Sequence, residues 1–330
     1  MNNLNILLQS LSLSLLNIII INILMNILPL PYSIPEEIFN NNIKKKNNIA
    51  KLIPGKLSTY IYDTEESYYN MYGEAKIGYT FKKYGWDCLR HYEILANNCI
   101  PLFKNLDKCP ELTMNTFPKK LVIECNKKIN NRRFGEESYK KYSSEIFNYS
   151  KNNLTCKKSA QYFLGSIKKI SKCEKEIDQL NILMLCGSIG YRNVNYSRDL
   201  LSIGLRRILN EKFVDYPKNK VLYKGCKKLY KYNGKGFTYG NRLENIEIDR
   251  DNIEDRIKNK EFDFIVYGRV GNKDGSIQKF KDLIYWKHVK NYYDKNNIVF
   301  IYGGDIARSK NDDCLKMHIK NGICFVRELE

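Results

Sequence analysis

The segment Gly78-Tyr-Thr-Phe-Lys82-Lys83-Tyr-Gly85-Trp-Asp87-Cys88-Leu-Arg90-His91-Tyr-Glu93-Ile-Leu-Ala-Asn-Asn98-Cys99-Ile100-Pro101-Leu-Phe103 decides the fold class. It reads as a strand, a glycine-containing loop, a short helix and a second apolar strand beginning at Ile100. In an open α/β sheet, ligands sit outside the carboxyl ends of the strands, which is where this loop and helix start fall. Asp87 is placed to cap the helix. Arg90, His91 and Glu93 follow within its first two turns, where unpaired N–H groups and the helix dipole favour an anion. A cation able to pair with phosphate and a carboxylate able to accept two sugar hydroxyls thus share one helix end, a chemistry suited to a nucleoside diphosphate.

Outward from this segment, the α/β alternation continues. Upstream, residues 75–81 alternate into the first strand, and Asp63 followed by Glu65 and Glu66 marks a helix start. Downstream, residues 105–110 form a loop, 117–123 a strand or strand edge, and 126–150 a polar surface helix with its connection. Residues 154–167 have helical spacing and are expected to close a first lobe. A second lobe then opens with a buried strand over 181–187, the loop 188–193, and a helix capped by Ser197 that carries Leu201, Leu205 and Ile208. Gly187 and Gly190 lack the third glycine of a dinucleotide fingerprint. Residues 233–236, Asn-Gly-Lys-Gly, have the chemistry of a hairpin turn. Strands over 262–268, 298–304 and 322–327, with a helix over 277–293 bearing Trp286 and His288, complete a mainly parallel sheet.

Composition narrows the function classes. The 330 residues, 43% of them hydrophobic, suffice for two ordinary α/β cores. With 55 Lys and Arg against 36 Asp and Glu, the net charge of +19 favours anionic partners. The lysines are spread along the chain without an aromatic-interleaved basic stripe or a nucleic-acid-binding motif, so no nucleic-acid partner is expected. Ten cysteines without a C-x₂₋₄-C knuckle predict neither a disulfide scaffold nor a metal site. Three N-x-S/T sequons, at Asn148, Asn153 and Asn195, carry little weight in so Asn-rich a chain.

The first 35 residues contain no charged side chain, and the apolar run within residues 1–31 is expected to be a signal peptide or membrane anchor. Residues 32–56, rich in Pro, Asn and Lys, read as a stem. Lys44-Lys45-Lys46 would place that flank in the cytoplasm.

The run Gly85-Trp-Asp87-Cys88-Leu-Arg90-His-Tyr-Glu93-Ile-Leu95-Ala-Asn-Asn98-Cys-Ile100-Pro101 resembles the donor-binding segment of GT-B glycosyltransferases, in particular exostosin-like and related eukaryotic and viral families. Those families carry a pattern of the type G-x-D-C-x-R-x-x-E-A-L-x-x-G-x-I-P-(I/V). The match, with its flanking strand, covers roughly a fifth of the catalytic chain. Here Asn98 stands at the usual glycine, and the loop before Asp87 is less glycine-rich.

The resemblance implies an α/β fold of two Rossmann-like lobes, a donor-nucleotide lobe over 57–172 and an acceptor-side lobe over 173–330. Because the donor segment ordinarily lies in the C-terminal half, the lobes are either permuted, or the chain is a truncated transferase with another domain appended. It further implies that Glu93 holds the ribose of a nucleotide sugar and Arg90 sits near its phosphates, with Asp87, Gly85 and Lys83 completing the donor site. No metal cofactor is required. Inverting transfer also needs a general base. Asp305, after a Gly-Gly at a strand's carboxyl end, is the first candidate, followed by Asp199 and His91. The expected protein moves sugar from a nucleotide-sugar donor to a glycan or glycoprotein acceptor at an ER or Golgi membrane, or is secreted. The alternatives are a non-catalytic glycan-binding protein of the same fold and a basic nucleic-acid-binding α/β protein.

Overall fold

Every residue of four short runs, 182–185, 264–267, 298–302 and 323–326, is buried, the signature of parallel strands covered on both faces. The computed structural model describes residues 26–271 and 276–330. Its strands are β1 (Ile27–Pro29), β2 (Asn47–Ile49), β3 (Ala75–Phe81), β4 (Ile100–Lys104), β5 (Ile182–Leu185), β6 (Phe213–Tyr216), β7 (Phe264–Tyr267), β8 (Ile298–Tyr302) and β9 (Ile323–Val326). Its helices are α1 (Glu65–Gly73), α2 (Leu89–Ala96), α3 (Lys119–Asn130), α4 (Glu136–Asn153), α5 (Cys156–Ser171), α6 (Tyr196–Leu209), α7 (Ile253–Lys258), α8 (Trp286–Tyr292) and α9 (Asp313–Ile319). They build two parallel sheets, ordered β2-β3-β4 and β1-β9-β8-β7-β5-β6.

Strand alternation divides the larger sheet's core. Leu183, Leu185, Ile265, Tyr267 and Phe300 face one layer with Ile257 of α7, Val289 of α8 and Leu315 of α9. Ile182, Met184, Phe264, Val266 and Ile301 face the other with Phe163 and Leu164 of α5 and Leu201 and Leu205 of α6. A further core spans both sheets, joining Trp86, Leu89, Tyr92 and Phe103 to Leu200, Ile203, Leu222 and Tyr239.

An α/β fold with two parallel sheets is as expected, but several local expectations fail. The segment 154–167 packs on the larger sheet as α5 and does not close the smaller lobe, because its Ala160–Phe163–Leu164–Ile167 face matches that sheet's apolar face. Residues 117–123 pass through Pro118 into α3, whose Val122 and Cys125 are buried; the lysines that obscured the helix lie on its surface. Within 277–293, only α8 is an α-helix. The helix starts are shifted too: Thr64, not Asp63, caps α1, and Asn195, not Ser197, caps α6.

The expected stem over 32–56 is part of the fold. Tyr32, Ile34 and Ile38 are buried in the shared core, and β2 pairs with β3. Most of the expected signal or anchor lies outside the described residues, but its end, β1, hydrogen-bonds to β9 in the larger sheet. No helix among the described residues is long and apolar enough to cross a membrane.

The contact between α5 and α6 gives a test of opposite signs. A methyl on Gly204 would sit 2.0 Å from the Cys156 carbonyl oxygen, whereas one on Gly165 meets nothing within 4 Å. Gly204→Ala should lose about 2 kcal/mol or more in urea unfolding. Gly165→Ala should gain up to about 1 kcal/mol. Equal effects would mean that the two helices do not cross at Gly204.

Candidate functional site

The carboxyl ends of both sheets open on one cleft of about 740 Å³. β3 runs into Lys83, β8 into Asp305 and β9 into Arg327, and all three residues line it. Lys83, Gly85, Asp87, Arg90 and Glu93 form one side with Leu57, Tyr60, Tyr62 and Tyr68. Tyr196, Asn233, Gly234, Lys235, Phe237, Asp305 and Arg327 contribute from the larger-sheet part of the chain.

A polar latch holds the two parts together. The Glu328 carboxylate, 2% exposed, accepts the backbone N–H of Trp86 and of Asp87, each at 2.9 Å. The Arg327 guanidinium donates to the Asp87 carbonyl at 2.6 Å, the Tyr32 hydroxyl at 2.7 Å and the Gly304 carbonyl at 2.8 Å, and pairs with Asp305. Gly85 makes this approach possible: a Cβ there would lie 2.4 Å from Glu328 Oε1.

Asp87 is not the helix cap. Its oxygens accept from Tyr32 N at 2.7 Å and the Tyr92 hydroxyl at 2.8 Å, while Cys88 occupies the cap position without a side-chain bond. Burial pushes Asp87 up to about 7, against the pull of Arg327 and with help from Glu328. Burial also raises Glu328.

Arg90 and Glu93 both reach the cleft, in different states. Arg90 Nη2 donates to the Tyr60 hydroxyl at 3.0 Å; Nη1 is buried without a partner, and among the described residues no carboxylate pairs with this guanidinium. Glu93 is already engaged: it accepts from the Tyr68 hydroxyl at 2.6 Å and from the Thr238 hydroxyl, and burial raises its pKa. Thr238 holds φ +77°, a strained conformation for a β-branched residue. Its N–H donates to Glu65, which pairs with Arg242 and braces the 233–242 loop against α1. Lys83 is exposed beside the cleft, and Lys82 lies over the Trp86 ring at 5.0 Å.

Of the expected bases, only Asp305 lines the cleft. Asp199 has no exposed surface; it pairs with Arg198 at 2.7 Å and accepts from Asn219 at 2.7 Å, so no acceptor hydroxyl reaches it. His91 is equally enclosed. Its Nε2 lies 2.9 Å from the Trp86 carbonyl, which can only accept, so Nε2 carries the proton and Nδ1 accepts from Thr80 at 2.7 Å. Burial pulls this imidazole down to about 3. His91 thus fixes the loop before α2 and carries no proton between substrate and solvent. The expected hairpin at 233–236 is instead a turn with Gly234 and Lys235 both left-handed and no flanking strands.

Sequence reasoning missed Arg327 and Glu328, although the strand-end rule that singled out Asp305 applies equally after β9. The 233–236 stretch was marked only as a turn, and Thr238 carried no motif. No protein-family model, curated protein or solved structure matches the chain. Among the described residues, no group of three or more His, Cys, Asp or Glu side chains could hold a metal ion.

The state of His91 has a measurable consequence. Its folded pKa lies below the ordinary 6.5, so the unfolded chain binds the extra proton between about pH 3 and 6.5. The stability it contributes is fully present above pH 6.5 and is lost as pH falls toward 3. The stability gap between wild type and His91→Asn should therefore narrow by about 2 kcal/mol from pH 7 to pH 5 in denaturant unfolding. A gap independent of pH would show that His91 titrates normally.

Proposed function

We propose that this chain is a nucleotide-sugar-dependent glycosyltransferase acting on a glycan or glycoprotein acceptor. The observation that carries the proposal is that the unpaired Arg90 guanidinium and the Glu93 carboxylate, from one helix start, line a tyrosine-rich cleft at the carboxyl ends of two parallel sheets. Arg90 would meet the diphosphate and stabilise it as leaving group, with Lys83 beside it. Glu93 would accept the ribose hydroxyls, replacing Tyr68 and Thr238. The tyrosines offer flat faces to a base or sugar ring. Asp305 is the proposed general base, with Arg327 fixing its position. The chemistry assigned to these residues uses no metal. The transferase-family resemblance of the Gly85–Pro101 segment agrees with this reading, as does an ER or Golgi membrane location through the apolar N-terminal residues.

A second reading, a glycan-binding protein without turnover, is favoured by one observation: Glu93 and Asp305 are both engaged by protein partners. The two readings differ in kinetics. In the transferase, Arg90→Ala and Glu93→Gln should each weaken binding of UDP- or GDP-sugars roughly tenfold or more. Asp305→Asn should keep donor binding but lower turnover roughly a hundredfold or more. Calorimetry and a donor-consumption assay read both. Glycan binding unaffected by nucleotide, with no donor consumed across a nucleotide-sugar panel, would establish the second reading.

A further inference from the structure

The mouth of the cleft carries apolar side chains that the fold leaves in water. Among the described residues, four exposed large hydrophobic side chains, Ile53, Leu57, Tyr60 and Ile61, fall within one short loop. Leu57 is 85% exposed and Ile61 67%. The loop between β3 and α2 adds Tyr84, 79% exposed. Leu57, Tyr60 and Tyr84 all line the same opening. Exposed apolar residues scattered singly need no explanation, but a cluster of them marks an interaction surface.

The exposure is built in, because the loop is anchored and tied to itself. Leu52, just before it, is buried with Met71, Tyr72 and Ala75. The Thr59 hydroxyl accepts the Ile53 N–H at 3.1 Å and donates to the Lys56 carbonyl at 2.7 Å. The Tyr60 hydroxyl accepts from the Gly55 N–H at 3.3 Å and from Arg90 Nη2 at 3.0 Å. Residues 53–60 are thus one knot resting on α2 through Arg90, and the knot holds Leu57 outward.

Charge complements the apolar surface. Residues 38–62 contain five lysines and no acid. Lys51 and Lys56 lie either side of Ile53 in the chain, and Lys83 precedes Tyr84; all three are exposed, and none pairs with a carboxylate among the described residues. Of the acids that follow, Asp63 and Glu65 are paired with Lys235 and Arg242, which leaves Glu66.

This mixture decides the occupant. Lysine is depleted at protein interfaces, and a second copy of a chain of net charge +19 meets like charge. A bilayer surface accepts both components: acyl chains take the aliphatic groups, anionic headgroups take the ammonium groups, and tyrosine suits the boundary between them. Leu57 and Tyr60 line the cleft while Ile53 and Ile61 do not, so the loop is apolar on more than one side. A fluid surround covers such a loop better than a single flat partner.

We propose that the 53–61 loop, with Lys83 and Tyr84, docks the mouth of the cleft onto an anionic phospholipid surface. The inference does not depend on the transferase reading, because lipid contact requires neither donor nor turnover.

Fluorescence of Leu57→Trp in the full chain tests it, with vesicles of phosphatidylcholine and phosphatidylserine whose acyl chains are brominated. The quenching is local, so it separates this contact from one made by the apolar N-terminal residues. Leu57→Trp should lose roughly half its added emission to the bromines. Wild type, whose Trp86 is buried and whose Trp286 does not line the cleft, should lose little. Omitting phosphatidylserine, or adding Lys51→Glu and Lys56→Glu, should raise the lipid concentration at half-quenching roughly tenfold. Ile53→Asp with Ile61→Asp should do the same or more. Thermal unfolding checks that these surface variants are folded. Vesicle binding without quenching of Leu57→Trp, equal quenching of wild type, quenching unchanged by both double variants, or a dimer that Leu57→Asp dissociates would each overturn the proposal.

Discussion

The architecture depends on one buried carboxylate, Glu328, gripping the backbone of Trp86 and Asp87. The N–H groups of the two buried residues Trp86 and Asp87 would be left unmatched without it, at about 1–3 kcal/mol each. Around the neighbouring Arg327 stand three acids, the buried Asp87 and Glu328 and the exposed Asp305, and enclosing the first two makes their charge expensive. Burial, against the pull of Arg327, pushes Asp87 up to about 7. The latch and the acid–base state of the cleft are therefore one problem, and Gly85 is the residue that lets the groups come close enough for it to arise.

The course of the chain ties the two sheets together as well. The chain enters the larger sheet with β1, leaves to build the smaller sheet, and returns through α5 before β5 begins. The smaller sheet is thus an excursion from the larger one, and β1 ends beside the last strand, β9. A stem reading of 32–56 fails for the same reason: a segment that connects two halves of one core must be buried in it, as Tyr32 and Ile34 are.

What could be read from the sequence were the features written in short-range patterns. The strand–loop–helix–strand around Gly85 and the apolar runs of β5, β7, β8 and β9 announce themselves by period and burial. Arg90 and Glu93 followed from their place at a helix start, and Asp305 from its place after a strand; all three line the cleft. The misassigned residues are those whose role is fixed by distant partners. Asp87 is engaged by Tyr32, His91 by Thr80, and Asp199 by Asn219, and no local pattern reveals such pairings. The same holds for Thr238, which meets Glu93 across 145 residues of sequence.

That meeting of Thr238 with Glu93 shapes how the cleft could select a ligand. The acid is satisfied by two hydroxyls, so a ligand engaging it must offer two of its own, and the exchange of one neutral donor for another changes little in free energy. Arg90 is only partly engaged: its Nη2 donates to the Tyr60 hydroxyl, while its Nη1 has no partner. An anion placed on its bare Nη1 gains a charge-assisted bond without losing an existing one. In the proposed function, affinity would then come from the phosphates at Arg90. Discrimination would come from Glu93, since a ligand lacking paired hydroxyls would displace Thr238 and Tyr68 and leave a buried acid without donors. The Thr238 backbone stays anchored through its N–H to Glu65 and through Arg242, so the exchange can take place at the hydroxyl alone.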